Sequence, residues 1–186
     1  MSLVFDTTYT SSYTHNLITG NATNKIKKLA DIVVHTPSHS PEWRPKLFAA
    51  SIMDRMVLSE VNIGPITEEP SRQEAKVVFR LVVNEEMLNL ANTVHGGALA
   101  YFVDFCSTIA LGVLDPFHGV TVTQAMNIVF HSPASLDDTI RIVSRSVTTG
   151  GRSMSGKTEI WNETHRRLVV SGVQINMRAS PPKSKL

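Results

Sequence analysis

Apolar and polar positions divide the chain into a loose start, a helical stretch, two strands, one almost wholly apolar helix and four further strands. Residues 1 to about 24 are rich in Ser, Thr and Asn and show neither a helical nor a strand period, so they read as a loose arm. Ile26 to Val34 fits a short helix or a strand, and His35 to Pro45, with its three prolines, reads as a linker. The domain is expected to begin near Pro41, where Trp43, Leu47, Ile52 and Met56 follow a helical spacing and Pro45 suits a first turn. Val57 to Ile66 is mostly apolar, and Glu74 to Val83 condenses into an apolar run that reads as a strand.

Gly97 to Val113 is the most helix-like segment. Leu99, Phe102, Val103, Phe105, Cys106, Ile109, Ala110, Leu111 and Val113 leave it almost no polar face, the pattern of a helix surrounded by protein. The period then changes. Val120, Val122, Met126, Ile128 and Phe130 are expected on one face of a strand, and Thr121, Thr123, Asn127 and His131 on the other. Three more strand-like runs follow, Thr139 to Thr148, Arg152 to Trp161 and Arg167 to Arg178, separated from one another by the turn formers Gly150-Gly151 and Asn162-Glu163. Short connections between consecutive strands favour antiparallel pairing. An all-apolar helix beside one such sheet buries its circumference only if the sheet wraps around it. The expected class is therefore α+β: an arm and linker over 1–40, a domain over 41–178 and a tail over 179–186.

Composition narrows the function classes. The chain has 186 residues, 42% hydrophobic and 18% charged, which is globular and large enough for one core. A net charge of +2, with basic residues scattered, gives no footprint for nucleic acid. One cysteine, Cys106, excludes an intramolecular disulfide and fits a reducing compartment. No apolar run approaches the roughly 20 residues of a membrane span, and the N-terminus lacks a secretory pattern. The N-x-T sequences at Asn21 and Asn162 then read as chance matches.

Candidate chemistry gathers at the start of the apolar helix. His95-Gly96-Gly97 precedes it, and glycine backbone at a helix start can present free N–H groups to a carbonyl oxygen that gains negative charge. A tight strand-to-helix turn explains the same residues. Asp104 lies two turns into the helix among Phe102, Val103, Phe105 and Cys106, where a carboxylate is costly unless paired or used. A structural hydrogen bond to Ser107 or Thr108 is the competing explanation. Asn89 and Thr123 could orient a water, or be ordinary loop and strand residues. Cys106 reads as a small hydrophobe, with a Cys–His pair with His95 as the alternative. His35 and His39 have metal-pair spacing, but Pro37 between them argues against a helix there, and no metal site is assigned.

The run Asn89-Leu-Ala-Asn-Thr-Val-His95-Gly96-Gly97, continuing Ala98-Leu-Ala-Tyr-Phe-Val-Asp104, resembles the signature of hotdog-fold acyl-CoA thioesterases. The similarity is to the phenylacetyl-CoA thioesterase-like subfamily, which includes fatty acyl-CoA thioesterases. Met126-Asn127-Ile128 and His131-Ser132-Pro133-Ala134 match the strand that follows. The resemblance implies an antiparallel sheet wrapped around one long helix, and hydrolysis of acyl-CoA, with CoA as part of the substrate rather than a cofactor. It implies Asp104 as the base or nucleophile, the Gly96 N–H as the group polarising the carbonyl, Asn89 and His95 as holding the thioester, and Thr123 as positioning water. Thr123 departs from the family's frequent serine, and Ala125 from a frequently acidic residue. CoA is implied along Thr148-Thr149-Gly150-Gly151-Arg152-Ser153, a turn one residue longer than usual, where turn amides and Arg152 suit phosphate. A homodimer or homotetramer is implied, with Asp104 and Thr123 on one subunit and Asn89 and Gly96 on the facing one. A catalytically weak acyl-CoA-binding module and an enoyl-CoA hydratase-type enzyme are the alternatives.

Ser184-Lys185-Leu186 is the peroxisomal import tripeptide, read by a receptor at a free C-terminus. Pro181-Pro182 ahead of it favours an extended tail. The expected location is peroxisomal.

Overall fold

The computed structural model describes residues 18–39, 48–115 and 121–178. Trp43, Leu47, Val120, most of the N-terminal arm and the C-terminal tail lie outside the described residues. The elements are α1 (Asn24–His39), α2 (Ala50–Met53), β1 (Val57–Pro65), β2 (Gln73–Val82), α3 (Gly96–Leu114), β3 (Thr121–Phe130), β4 (Thr139–Thr149), β5 (Ser153–Asn162) and β6 (Arg167–Arg178). The six strands form one antiparallel sheet in the order β1-β2-β4-β5-β6-β3. β3 follows α3 in the chain yet lies at the edge opposite β1, so α3 carries the chain across the sheet. It packs on β2, β4, β5 and β6. This is the wrapped-helix arrangement expected from the hydrophobic pattern.

Four details differ from the expectations. First, α1 is one helix of 16 residues running through Pro37, two positions from its end, where a missing N–H costs little helix beyond it. Ile18, Ala22, Ala30 and Val34 join the core, and Thr19 pairs with Glu60, so the folded body includes residues well ahead of Pro41. The alanine and β-branched positions of this helix gave a short and ambiguous period. Second, α2 has only four residues.

Third, α3 is not enclosed all round. Gly97, Ala100, Tyr101, Asp104, Phe105, Thr108 and Gly112, at helical spacing, keep partial or full exposure, as do Gly96, Ala98 and Leu114 near the two ends, while the rest is buried. With 19 residues and Asp104 as its only charge, α3 is long and apolar enough to cross a membrane by length and composition, correcting the expectation that no run approaches that size. Its buried faces are taken up by the sheet.

Fourth, β3 does not keep a period of two. Thr123 pairs with Asn176 but Ala125 with Ile175, so Gln124 is the extra residue of a β-bulge. The neighbours of β6 that face α3 are Gly172, Gln174, Asn176 and Arg178. Pairing with them puts Thr121 and Thr123 on the same side as Met126, Ile128 and Phe130. Val122, Ala125, Asn127 and Val129 face the other way. The expected division of this strand, Thr against Met and Phe, is therefore wrong: the bulge swaps the faces halfway along.

Two glycines set the helix position, Gly156 against Ser107 and Gly172 against Val103. A Cβ on Gly172 would come within 2.8 Å of Val103, so β6 and α3 approach more closely than a side chain there would allow. Asn162 is fully buried against Asp138, so its side chain is not open to modification.

Candidate active site

The backbone turns into α3 at His95, which has extended dihedrals and acts as the N-cap. Its Nδ1 accepts the Gly97 N–H at 2.8 Å. The ring is therefore the tautomer with the proton on Nε2. A Cβ on Gly97 would lie 3.0 Å from that Nδ1, so any larger residue would crowd the capping ring. His95 N–H donates to the Met87 carbonyl and the His95 carbonyl accepts from Ala98 and Leu99. Gly96 N–H makes no hydrogen bond among the described residues and belongs to the first turn, where donors lack helical partners.

Asn89 sits in the loop ahead of this turn. Its Oδ1 accepts from Ala91 N–H at 2.8 Å and Thr93 N–H at 3.2 Å, and its Nδ2 donates to Thr93 Oγ1 at 3.0 Å. These bonds close the loop that delivers His95 and hold Asn92 at a left-handed φ of 56°. Asn89 is thus a brace of the loop, apart from Asp104 in its own chain.

Asp104 lies on the exposed stripe of α3 and is partly buried. Thr123 Oγ1 donates to its Oδ1 at 2.5 Å, and Gln174 Nε2 donates to the same oxygen. Gln174 Nε2 also donates to Thr123 Oγ1 at 2.7 Å, while Ser107 donates to Gln174 Oε1. Below them Asn176 donates to Thr108 and Thr121, and Arg178 pairs with Asp115 at 2.5 Å. A polar seam thus runs between α3 and the β6–β3 pair with the Asp104 carboxylate at its open end. The bulge in β3 is what turns Thr123 toward it.

Gln174 is the site residue that pattern reading missed. β6 alternates Val173 and Ile175 with Gln174 and Asn176, but periodicity does not say which set faces inward. Here the polar set is buried and the apolar set exposed.

Ala125 is paired with outward-facing Ile175 and does not meet Asp104. Gly150, Gly151, Arg152 and Ser153 form the exposed turn between β4 and β5, closed by Gly150 N–H to Ser153 O at 3.1 Å. Ser153 pairs with Met177 and Met177 with Val122, so about 10 Å of sheet separates this turn from the start of β3.

Cys106 is fully buried, and burial pushes its thiol well above the ordinary range. By helix rise it stands about 16 Å from His95. The Cys–His alternative is thereby removed. His35 bonds Asp31 O and Met56 O, each at 3.1 Å, and Asp31 Oδ1 at the same distance. Burial lowers its pKa, but the Asp31 carboxylate and the two carbonyls outweigh that and raise it above 6.5.

Comparison with known proteins gives the family. The Thioesterase superfamily model matches residues 91–169, which hold Asp104, Thr123 and the β4–β5 turn. Acyl-coenzyme A thioesterase 13 of Homo sapiens is 33% identical over 103 residues, covering 55% of this chain and 72% of that protein. The chain belongs to the thioesterase superfamily. As a member it is a thioester hydrolase with the hotdog fold, of the acyl-CoA thioesterase type. The solved structure of Zebra Fish Thioesterase Superfamily Member 2 aligns over 86% of this chain and 99% of its own, with a TM-score of 0.65 at 20% identity. A thioesterase protein from Streptococcus pneumoniae solved with coenzyme A aligns over 70% of this chain and 90% of its own, at TM-score 0.58 and 21% identity.

Proposed function

We propose that the protein hydrolyses fatty acyl-CoA to the free acid and CoA, with Asp104 activating the attacking water. One observation carries this reading: Thr123 and Gln174 both bond Oδ1 of Asp104, while no hydrogen bond reaches Oδ2 among the described residues. Oδ2 is the free acceptor at the exposed end of the polar seam. Water attacks the thioester carbonyl carbon as its proton passes to Asp104. The carbonyl oxygen becomes an oxyanion that accepts the free Gly96 N–H. Collapse breaks the C–S bond, and the thiolate of CoA takes up the proton. His95 acts by holding the turn that presents Gly96, and Asn89 by bracing the loop before it.

Gly96 and Asp104 of one chain are eight residues apart, about 12 Å along the helix, too far to share one carbonyl group. A second copy is therefore required, its Gly96 facing Asp104. Edge strand β3 supports such an assembly: Val122, Met126, Val129 and Phe130 are 41–55% exposed on it. The β4–β5 turn with Arg152 is the proposed seat of the CoA phosphates. Its separation from β3 leaves room for the pantetheine arm.

The test is a panel of acyl-CoAs of increasing length and aromatic acyl-CoAs, followed by release of the CoA thiol. Turnover of the fatty acyl members is expected. Tight CoA binding without hydrolysis of any member would instead identify a binding module. Peroxisomal import through Ser184-Lys185-Leu186 belongs to the same proposal. A fluorescent protein fused ahead of the chain should enter peroxisomes, and deletion of the tripeptide should abolish entry; import that survives the deletion would contradict this.

A further inference from the structure

We infer that Gln174 is a positioning residue that aims the Asp104 carboxylate, an inference that rests on Asp104 being the reacting group. Gln174 is fully buried on β6, between Gly172 and Asn176. A buried amide adds little net stability even when fully bonded. Its place beside Asn176 on the inward face of β6, where α3 packs, calls for a reason other than packing.

The bonds supply that reason. A glutamine amide offers two N–H donors and one carbonyl acceptor. The amide nitrogen lies against Asp104 Oδ1, Thr123 Oγ1 and, at 3.4 Å, Thr108 Oγ1, and the acceptor is held by Ser107. A carboxylate cannot donate, so the amide nitrogen must face Asp104, and the amide oxygen turns to the Ser107 hydroxyl, which also lies 2.7 Å from the Val103 carbonyl. Asp104 and Ser107 are three residues apart on α3, so Gln174 spans one helical turn. The terminal torsion of an aspartate is broad and nearly two-fold, so one hydrogen bond leaves the two oxygens free to exchange. Two donors from different strands on the same oxygen stop that exchange. Oδ2 then stays turned to the open side, where water would be activated. Gly172, two residues before Gln174, keeps α3 close enough for this clasp.

The test is a double-mutant cycle on the full-length enzyme with a fatty acyl-CoA. Gln174→Met keeps the length and removes both donors. It is expected to lower kcat about tenfold or more with KM nearly unchanged, the signature of an interaction lost in the transition state. In an Asp104→Asn background the same change should cost nothing further, because there is no carboxylate left to aim. Ser107→Ala, which releases the amide and leaves the Asp104 carboxylate in place, should show a smaller loss with the same dependence, and it stands in if Gln174→Met does not fold. Wild-type kcat in Gln174→Met, or equal losses in both backgrounds, would overturn the positioning role. Full activity in Asp104→Asn alone would instead remove the reading of Asp104, a separate outcome.

Discussion

Thr123 Oγ1 lies 2.5 Å from Asp104 Oδ1, joining an edge strand to the helix it flanks. The contact exists because one extra residue, Gln124, turns Thr123 inward. A serine at this position would keep the hydroxyl, whereas valine keeps the shape and removes it. Thr123→Ser should retain kcat within a few-fold, and Thr123→Val should lower it about tenfold to a hundredfold, the value of one charge-assisted hydrogen bond. Steady-state rates with one acyl-CoA decide between them. Equal rates for the two variants would detach Thr123 from catalysis.

Gly172→Ala should destabilise the protein by about 1–3 kcal/mol, since its Cβ would meet Val103 at 2.8 Å in a packed core. It should also reduce kcat, because Val103 precedes Asp104 on α3. Val103→Ala in the same chain makes room and should restore part of kcat. Thermal unfolding and rates on the three variants are the readout; a fall in melting temperature with unchanged kcat would show that the helix position tolerates the shift.

His35 joins α1 to the start of β1 through Asp31 and Met56 O. Its pKa is raised in the folded state, so the protonated form stabilises the fold. That contribution is fully present below the unfolded value near 6.5 and is lost as pH rises through the higher folded value. Compared with His35→Gln, the wild type should lose relative stability as pH rises above 6.5 and gain none below it. Melting temperatures of both proteins across pH test this, and a constant difference would contradict it.

How far the sequence reveals this protein depends on the element. The almost wholly apolar run Leu99 to Val113 marks the central helix without ambiguity, and short turns mark the antiparallel strands, because both signals are local. The glycines and Asp104 mark the helix start and its one charge. The partners of Asp104 are less visible. Gln174 is 70 residues away and Ser107 looks like any helix serine. Their meeting depends on which face of β6 turns inward, and an alternating strand is symmetric in that respect. The bulge at Gln124 has no signal in an alternating pattern except that the pattern ends. The helix through Pro37 was hidden because proline is read as a breaker, although near a helix end it removes only one bond.

The role of Asp104 is tested most directly by the rate at which the CoA thiol is released from a fatty acyl-CoA by the wild type and by Asp104→Asn, both folded and of the same oligomeric size. The asparagine keeps the size and loses the charge and the basic oxygen. The expected result is hydrolysis by the wild type and a fall of about a hundredfold or more in kcat for the variant, the range of general-base catalysis. Equal rates in the two proteins would contradict a catalytic carboxylate at this position.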